Sequence, residues 1–359
     1  MSATEATGAE SSSPVRHAVA HLSPGYFAAV MGTGIVSIGL HAAGMRSLSV
    51  ALLWAAAALY LLLWALYVWR ALAFWHRVVD DLRDPEIAFA YFTVVAATDV
   101  LGVRFAQQGI AAVAVPLFLF SALIWFIFGY VLPWQVMMTR DGRPILARAN
   151  GTWFIWAVAS QSLAIGMAQL HPQVDSAVAA WVGLLAVLAW SVGVILYAAL
   201  AMLVLLRVVH HGVTPQQFDP AYWVSMGALA IAVVAGAGIV QMEHTPLVDA
   251  VRPLIAATVV VFWVFCLWLI PLLVGAGVWR HALHRVPLRY APSLWSMVFP
   301  MGMFAVASLS LGEADALPAA GSVGAVSLVV AVVVWALVSI GMLHGLVTLI
   351  AESLRRHPR

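Results

Sequence analysis

Polar side chains are rare inside the apolar stretches of this chain, and their types show what chemistry the chain could perform. Hydroxyl and amide groups coordinate ions without forming covalent bonds, and a carboxylate in apolar surroundings can bind a proton. Asp99 is the carboxylate placed well inside such a stretch. The hydroxyl and amide candidates for lining a pathway are Thr33, Ser37, Thr98, Ser160, Gln161, Ser225 and Ser296.

The sequence contains no recognisable catalytic set. Neither an HExxH pattern nor a glycine-flanked serine with a partner histidine is present. The histidine clusters at 210–211 and at 281 and 284 have no cysteine or acidic partners nearby, which argues against a zinc site. The single cysteine, Cys266, cannot form an intramolecular disulfide. We therefore expect no catalytic residue, no metal and no cofactor.

The composition identifies an integral membrane protein. Hydrophobic residues make up 64% of the 359 residues and charged residues 9%, whereas an ordinary soluble domain has about 25% charged residues. The mean hydropathy is +0.99. The net charge of +2 does not indicate nucleic-acid binding, because the arginines are spread over many loops instead of forming one basic stripe.

Ten apolar segments are long enough to cross a bilayer, which takes about 20 helical residues. They cover residues 24–43, 48–69, 86–107, 110–137, 151–170, 177–206, 220–242, 253–279, 290–312 and 321–350. We predict one transmembrane domain over residues 24–350. Residues 1–23 lack the apolar core of a signal peptide and are expected to form a disordered cytoplasmic tail, with a second cytoplasmic tail over residues 351–359.

The arginines predict the orientation in the membrane. Only Arg46, Arg104 and Arg252 fall on one side of a ten-span topology, so fourteen of the seventeen basic residues fall on the side of both termini. The positive-inside rule places that side, and both termini, in the cytoplasm. We expect the protein to lie in the inner or plasma membrane. We expect an electropositive mouth on the cytoplasmic side. Arg104 is expected to extend its head group towards the opposite surface.

Polar residues alternate between the segments. Odd-numbered segments carry most of the hydroxyl and amide groups, while even-numbered segments are mainly Ala, Leu, Val and Trp. Since apolar helices suit lipid and polar ones need partners or water, five inner helices surrounded by five outer helices are expected. Gln161 could then donate to a passing solute or simply bond a neighbouring helix. Asp99 could bind a proton or make a structural hydrogen bond.

The ninth segment carries a helix-breaking feature. Pro300 removes a backbone donor and frees the carbonyl of Ser296, and Gly302 follows two residues later. We predict a kink at Pro300 and Gly302 facing a cavity. Phe299 immediately precedes the kink and is either a plug for that cavity or ordinary packing.

Four strings resemble one known family. They are PGYFAAVMGTGIVSIG in the first segment, GTWFIWAVASQSLA in the fifth, YWVSMGALAIA in the seventh and WSMVFPMGMFAVASLSLG in the ninth. Together they are similar to the tellurite-resistance/dicarboxylate transporter family, which includes slow-type anion channels, malate permeases and sulfite efflux pumps. The resemblance covers about residues 22–350.

The resemblance implies an architecture and a gate. It implies five helical hairpins in a quasi-fivefold ring, a central pore lined by the odd helices, and a homotrimer with one pore in each subunit. It also implies a phenylalanine on the ninth helix that occludes the pore. By position this residue is Phe299, or Phe304 if the register differs.

We therefore predict a channel or transporter for small anions. Its candidate substrates are C4-dicarboxylates, chloride, nitrate, sulfite and tellurite-type oxyanions. One alternative is a proton-coupled malate carrier that uses Asp99. Another is a receptor or structural membrane protein that transports nothing.

Overall fold

The chain folds into a bundle of long helices. The computed structural model describes residues 14–138, 144–243, 245–313 and 318–356. Within these ranges no strand occurs, and ten helices are long and apolar enough to cross a membrane, which confirms the predicted all-α class and span number. Named in chain order, the ten spans are Pro24–Ala42, Arg46–Ala73, Ala88–Gln107, Ala111–Met138, Gly151–Gln173, Ser176–His211, Pro220–Val240, Pro246–Leu283, Pro292–Glu313 and Pro318–Ala351.

Both predicted tails are partly helical. A short helix, Pro14–Ala20, packs against the second and tenth spans, and Val19 and Ala20 are buried there. The prediction of disorder is wrong for this stretch, because its small apolar side chains bury against the bundle. The last helix continues to Arg356, through most of the predicted C-terminal tail. Residues 1–13 and 357–359 lie outside the described residues.

Burial separates the spans into two sets. Odd-numbered spans, called inner spans below, are 67–94% buried over their most apolar window, whereas even-numbered spans, called outer spans, are 22–33% buried. This difference agrees with the alternation of polar residues in the sequence. The exposed side chains of the outer spans are mostly Leu, Val, Ile, Phe and Trp, which suit contact with lipid.

The helices contact one another in a regular order. Each inner span packs against the outer span that follows it, which makes five hairpins. Among the inner spans, the first span contacts the third, the third contacts the fifth, and the fifth contacts the seventh. The seventh contacts the ninth, and the ninth contacts the first. Each outer span additionally contacts the next inner span. The five inner spans thus contact one another in a closed cycle.

Every inner span begins with one turn of 3₁₀ helix before its α-helix starts. In three of them the preceding side chain accepts a backbone hydrogen bond and caps the helix, namely Ser23, Asn150 and Asp219. Burial raises the pKa of the Asp219 carboxyl. The five inner helices therefore share the same local structure at their N-terminal ends.

The ninth span is helical without interruption through Pro300 and Gly302. The ring of Pro300 lies against Gly227 of the seventh span, where an added Cβ would come within 2.7 Å of the proline Cγ. At Gly302 an added Cβ would lie 2.7 Å from Cγ2 of Ile35 in the first span. The missing side chains of Gly227 and Gly302 therefore allow the ninth span to approach its inner neighbours closely.

Candidate functional site

All five inner spans contribute to one cavity, called the vestibule below. Its volume is about 220 Å³, and its walls come from the C-terminal halves of the inner spans. Its rim carries exposed Gln241 and Glu313. The vestibule is lined by Ile35, Ile38, His41, Ala42, Asp99, Val100, Val103, Gln107, Ser162, Ile165, Ala168, Gln169, Ile231, Val234, Ala237, Gly238, Gln241, Met303, Val306, Ser310 and Glu313.

Asp99 lies at the inner end of the vestibule and is 1% exposed. Its Oδ2 accepts a hydrogen bond of 2.6 Å from the Ser162 hydroxyl, which also lines the vestibule. Its Oδ1 has no hydrogen-bond partner among the described residues. A buried carboxylate oxygen without a partner is energetically unfavourable unless a proton or solute occupies it. Asp99 is thus a buried carboxyl group that borders the cavity and has one oxygen without a partner among the described residues.

Ser162 was not predicted as a site residue, although it directly follows Gln161 in the sequence. The spacing of lining residues along the fifth helix is the feature that could have identified Ser162. Ser162, Ile165 and Gln169 recur every three to four residues along one face of the fifth span. Gln161 points about 100° away from that face.

Phe299 lies one helical turn below the vestibule. Met303 and Val306 line the cavity, and Phe299 shares their face of the ninth helix because it is four residues before Met303. The residues one turn below the vestibule on the five inner spans are all at most 3% exposed. These five residues, called the apolar plug below, are Met31, Ala96, Val158, Ala228 and Phe299.

The fallback gate residue, Phe304, faces elsewhere. It is also 2% exposed. However, it lines a separate cavity of about 130 Å³ together with Ile270 of the eighth span and Val326 of the tenth. Its ring is therefore directed towards the outer spans. The spacing of the vestibule residues favours Phe299 over Phe304 as the residue below the cavity.

Most of the predicted pore-lining groups do not line the vestibule, because they bond to other parts of the bundle. Their partners are mainly aromatic side chains and carbonyls of the outer spans. The bonds are Trp335 Nε1 to Thr33 Oγ1 (3.1 Å), Tyr60 to Thr98 (2.8 Å between oxygens), Trp125 Nε1 to Ser160 Oγ (2.9 Å) and Gln161 Nε2 to the Trp190 carbonyl (3.1 Å).

Three further serines also lie outside the lining of the vestibule. Ser37 Oγ donates to the carbonyl of Ser49 in the second span at 2.7 Å. Ser225 Oγ donates to the Tyr222 carbonyl of its own helix at 2.8 Å. Ser296 is half-buried at the start of the ninth span, seven residues before Met303, so it lies about two turns below the vestibule. Of the eight predicted lining residues, the cavity includes Asp99.

Arg104 is not directed towards the membrane surface, which corrects the expectation from sequence. It is 0% exposed. Its Nε lies 3.0 Å from Ser37 Oγ, and its Nη2 lies 2.7 Å from Ser49 Oγ. The head group stays inside because hydroxyls of the first and second spans offer it acceptors there.

At the other end of the bundle, several arginines pair with carboxylates. Arg70 is 3% exposed, and its Nη2 lies 2.7 Å from Asp81 Oδ2. Burial raises the pKa of the Asp81 carboxyl despite this partner. Arg148 pairs with Asp84 and Glu86. The charges of these two arginines are therefore offset locally. The predicted mouth also included arginines whose side chains lie outside the described residues, namely Arg140, Arg143, Arg355, Arg356 and Arg359.

Comparison with known proteins connects this architecture to membrane transport. An uncharacterized transporter of Methanocaldococcus jannaschii is 25% identical over 291 residues, which is 79% of this chain and 82% of the relative. A second uncharacterized transporter of that organism is 24% identical over 285 residues, covering 78% and 81% of the two chains. An uncharacterized membrane protein of Mycobacterium tuberculosis H37Rv is 46% identical over 158 residues, covering 44% of this chain and 80% of the relative.

The strongest assignment comes from the family comparison. The model of the voltage-dependent anion channel family (SLAC1) matches residues 21–343, which includes all five inner spans and the vestibule. The two relatives from Methanocaldococcus jannaschii extend over most of the same region. The chain is therefore a multi-pass integral membrane protein and belongs to the voltage-dependent anion channel family.

Proposed function

We propose that this chain passes small anions along a pathway between its five inner spans and that Phe299 closes the pathway. The observation that carries this proposal is the vestibule, because all five inner spans line it and it ends one helical turn above Phe299. In this proposal the five hairpins form a quasi-fivefold ring, and the closed cycle of inner contacts supports that arrangement.

The apolar plug explains how such a pathway stays closed. An anion that leaves water for an apolar medium loses a hydration energy of tens of kcal/mol by Born estimates. The plug consists of five buried apolar side chains and offers no replacement for that hydration. Narrow apolar constrictions block ions by excluding water. Phe299 has the largest side chain of the five, so its removal should open the widest passage.

The test compares two phenylalanines of the ninth span. Phe299→Ala should raise anion flux into proteoliposomes by at least about tenfold, since it removes a hydrophobic barrier worth more than about 1.4 kcal/mol. Phe304→Ala is the matched control, because Phe304 is equally buried, at 2% exposed, but faces the outer spans. It should leave flux close to that of the wild type.

Chloride, nitrate, sulfite, malate and tellurite should be compared in the same vesicles, because nothing in the vestibule selects one of them by shape. An unchanged flux in Phe299→Ala, or an equal rise in Phe304→Ala, would reject the gate. The absence of flux for every anion in both variants and the wild type would favour a receptor or structural protein.

A second candidate is a proton-coupled carrier of C4-dicarboxylates, and Asp99 is the observation that favours it. Its free Oδ1 can take up a proton from the vestibule. When Asp99 is ionised, its charge repels an anion in the vestibule, and protonation removes that repulsion. Proton binding and anion passage would then be coupled through one carboxylate.

Asp99→Asn separates the two candidates. In a proton-coupled carrier, an imposed pH gradient drives malate uptake in the wild type, and the variant loses this acceleration almost completely because asparagine binds no proton. In a channel, the gradient has no effect on the wild type, and Asp99→Asn changes flux only through its charge. Uptake that remains gradient-driven in Asp99→Asn would exclude Asp99 as the coupling group.

We further propose that the protein works as a homotrimer in the inner or plasma membrane with both termini in the cytoplasm. The apolar side chains on the outer spans supply surface for subunit contacts as well as for lipid. The arginine distribution supports the orientation. Chemical cross-linking in native membranes tests the trimer, and protease access to terminal tags tests the orientation.

A further inference from the structure

Arg104 is a buried cation whose hydrogen-bond partners are all neutral. Its Nε and Nη2 contact the hydroxyls of Ser37 and Ser49. When the Gln108 amide is oriented with its oxygen towards the guanidinium, that oxygen accepts from Nη1 at 2.7 Å and from Nη2 at 2.9 Å. No carboxylate among the described residues forms a salt bridge with Arg104. Its positive charge is therefore held inside the protein without a counter-charge.

Other arginines in the described part of the chain differ in their partners. Arg70 and Arg252 have carboxylate partners, Asp81 and Asp249, whereas the buried Arg207 donates to the Gly212 carbonyl and, like Arg104, forms no salt bridge among the described residues. A buried guanidinium without a carboxylate is costly to the fold, since its desolvation is not offset by an opposite charge. Such a charge inside a membrane span is a candidate for function.

The position of Arg104 connects it to the vestibule. Val100, Val103 and Gln107, which all line the vestibule, are neighbours of Arg104 on the third span. His41, on the vestibule wall of the first span, also lies within electrostatic range of Arg104. The guanidinium thus sits behind the wall, between the depth of Asp99 and the rim. It does not line the cavity itself.

The hydroxyls fix the charge in place. Ser37 Oγ donates to the Ser49 carbonyl and Ser49 Oγ donates to the Ser37 carbonyl, each at 2.7 Å. Because both hydroxyl protons go to these carbonyls, the hydroxyl oxygens are left to accept from Arg104. The first and second spans therefore hold the guanidinium in one orientation. Ser37, which the sequence suggested as a pore residue, therefore contacts Arg104 and does not line the vestibule.

We propose that Arg104 is the residue that makes the vestibule selective for anions over cations, acting through its electric field and without contacting the ion. This inference rests on the proposed anion pathway. The vestibule is lined by two carboxylates, Asp99 and Glu313, and by no arginine. Without a cation nearby, such a cavity would favour cations over anions. Arg104 supplies the positive charge at short range from behind the protein wall, where salt screens it less than in bulk solution.

The most specific test keeps Arg104 in place and offsets its positive charge with a new carboxylate beside it. Gln108→Glu is nearly isosteric, lies at an exposed position and puts a carboxylate where the amide oxygen accepts from the guanidinium. Gln173→Glu is the matched control, because Gln173 is also exposed at the C-terminal end of an inner span and does not line the vestibule. Both variants are made in the Phe299→Ala background, so that ion currents are large enough to measure.

The quantity to measure is the anion-to-cation permeability ratio, obtained from the reversal potential in a potassium chloride gradient. A unit charge acting across roughly one helix width in an effective dielectric of about 20 changes local ion concentrations about tenfold. Gln108→Glu should therefore lower the ratio about tenfold, and Gln173→Glu should change it less than about twofold. Arg104→Gln should match Gln108→Glu, whereas Arg104→Lys should keep most of the ratio because it keeps the charge.

The outcomes separate this inference from the proposed function. If anion current is present and the ratio is unchanged in Gln108→Glu, Arg104 serves only to join the helices, and the inference is overturned. Should Arg104→Gln fail to insert, Gln108→Glu still decides, because it retains the guanidinium and its serine partners. If neither the wild type nor Phe299→Ala carries anions, the proposed function fails and this inference fails with it.

Discussion

The two halves of the inner bundle are built from the same five helices but have opposite character. The C-terminal halves enclose a cavity with carboxylate, amide and hydroxyl groups. Below that cavity, each inner span places a buried apolar side chain at the same level, and Phe92 and Trp295 lie nearer the helix starts at no more than 1% exposed. On the proposed pathway, an ion would keep partners through the vestibule and lose them only at the plug. The proposed barrier is therefore confined to a short stretch.

The largest effect is expected when the access of a thiol reagent to the two halves of the inner bundle is measured. The native chain has one cysteine, Cys266, which is buried in the eighth span, so introduced cysteines can be followed individually. Ser310→Cys in the vestibule should react with a charged thiol reagent at least about 100-fold faster than Val158→Cys in the plug, because a charged reagent cannot enter an apolar, water-free constriction.

The same labelling sharpens the gate assignment. In the Phe299→Ala background, Val158→Cys should become reactive, while the reactivity of Ser310→Cys should stay as it was. Reagent added from one side of the membrane also tells which side the vestibule opens to. Equal reactivity at both positions in the native background would mean that the plug is hydrated and the comparison of the two halves is wrong.

Much of the fold follows from the sequence because hydrophobic periodicity and length dictate it. The ten spans and the inner and outer sets are both readable from the apolar windows and the alternation of polar residues. The shared 3₁₀ start of the inner spans was not predicted, although Pro, Gly or Asp stands near that point in most of them. The short helix Pro14–Ala20 was missed because its burial depends on contacts with two distant spans.

The lining of the site was harder to predict, and the reason is physical. A hydroxyl inside an apolar helix needs a partner, and a neighbouring helix can supply one as well as a water-filled cavity can. Thr98 and Asp99 are adjacent in sequence, yet Thr98 bonds Tyr60 of the second span while Asp99 lines the vestibule. Residue type alone does not tell whether a polar side chain faces a neighbouring helix or the vestibule. That requires the rotation of each helix about its axis, which is fixed by the contacts among all five inner spans.

Close packing between the seventh and ninth spans leads to a prediction about stability, with a smaller expected effect. Gly227→Ala would place a Cβ 2.7 Å from Cγ and 2.9 Å from Cβ of Pro300, whose ring cannot rotate away. Overpacking of this kind costs about 1–3 kcal/mol. The melting temperature of the purified protein in detergent should fall accordingly.

Gly275→Ala in the eighth span is the control, because an added Cβ there meets nothing within 4 Å. Both substitutions gain the same helix propensity of about 0.5–1 kcal/mol, so their difference isolates the contact with Pro300. A Gly227→Ala protein as stable as Gly275→Ala would show that the seventh and ninth spans separate more easily than the structure indicates.

The smallest expected effect concerns the polar groups that face away from the vestibule. Tyr60→Phe removes the hydrogen bond of 2.8 Å to Thr98 and leaves the ring in place. Since Thr98 Oγ1 still donates to the Val94 carbonyl at 2.7 Å, the loss should be about 0.5–1.5 kcal/mol of stability. Flux in the Phe299→Ala background should not change, because neither Tyr60 nor Thr98 lines the cavity. A change in anion selectivity with unchanged stability would reverse this assignment and return Thr98 to the pathway, one residue from Asp99.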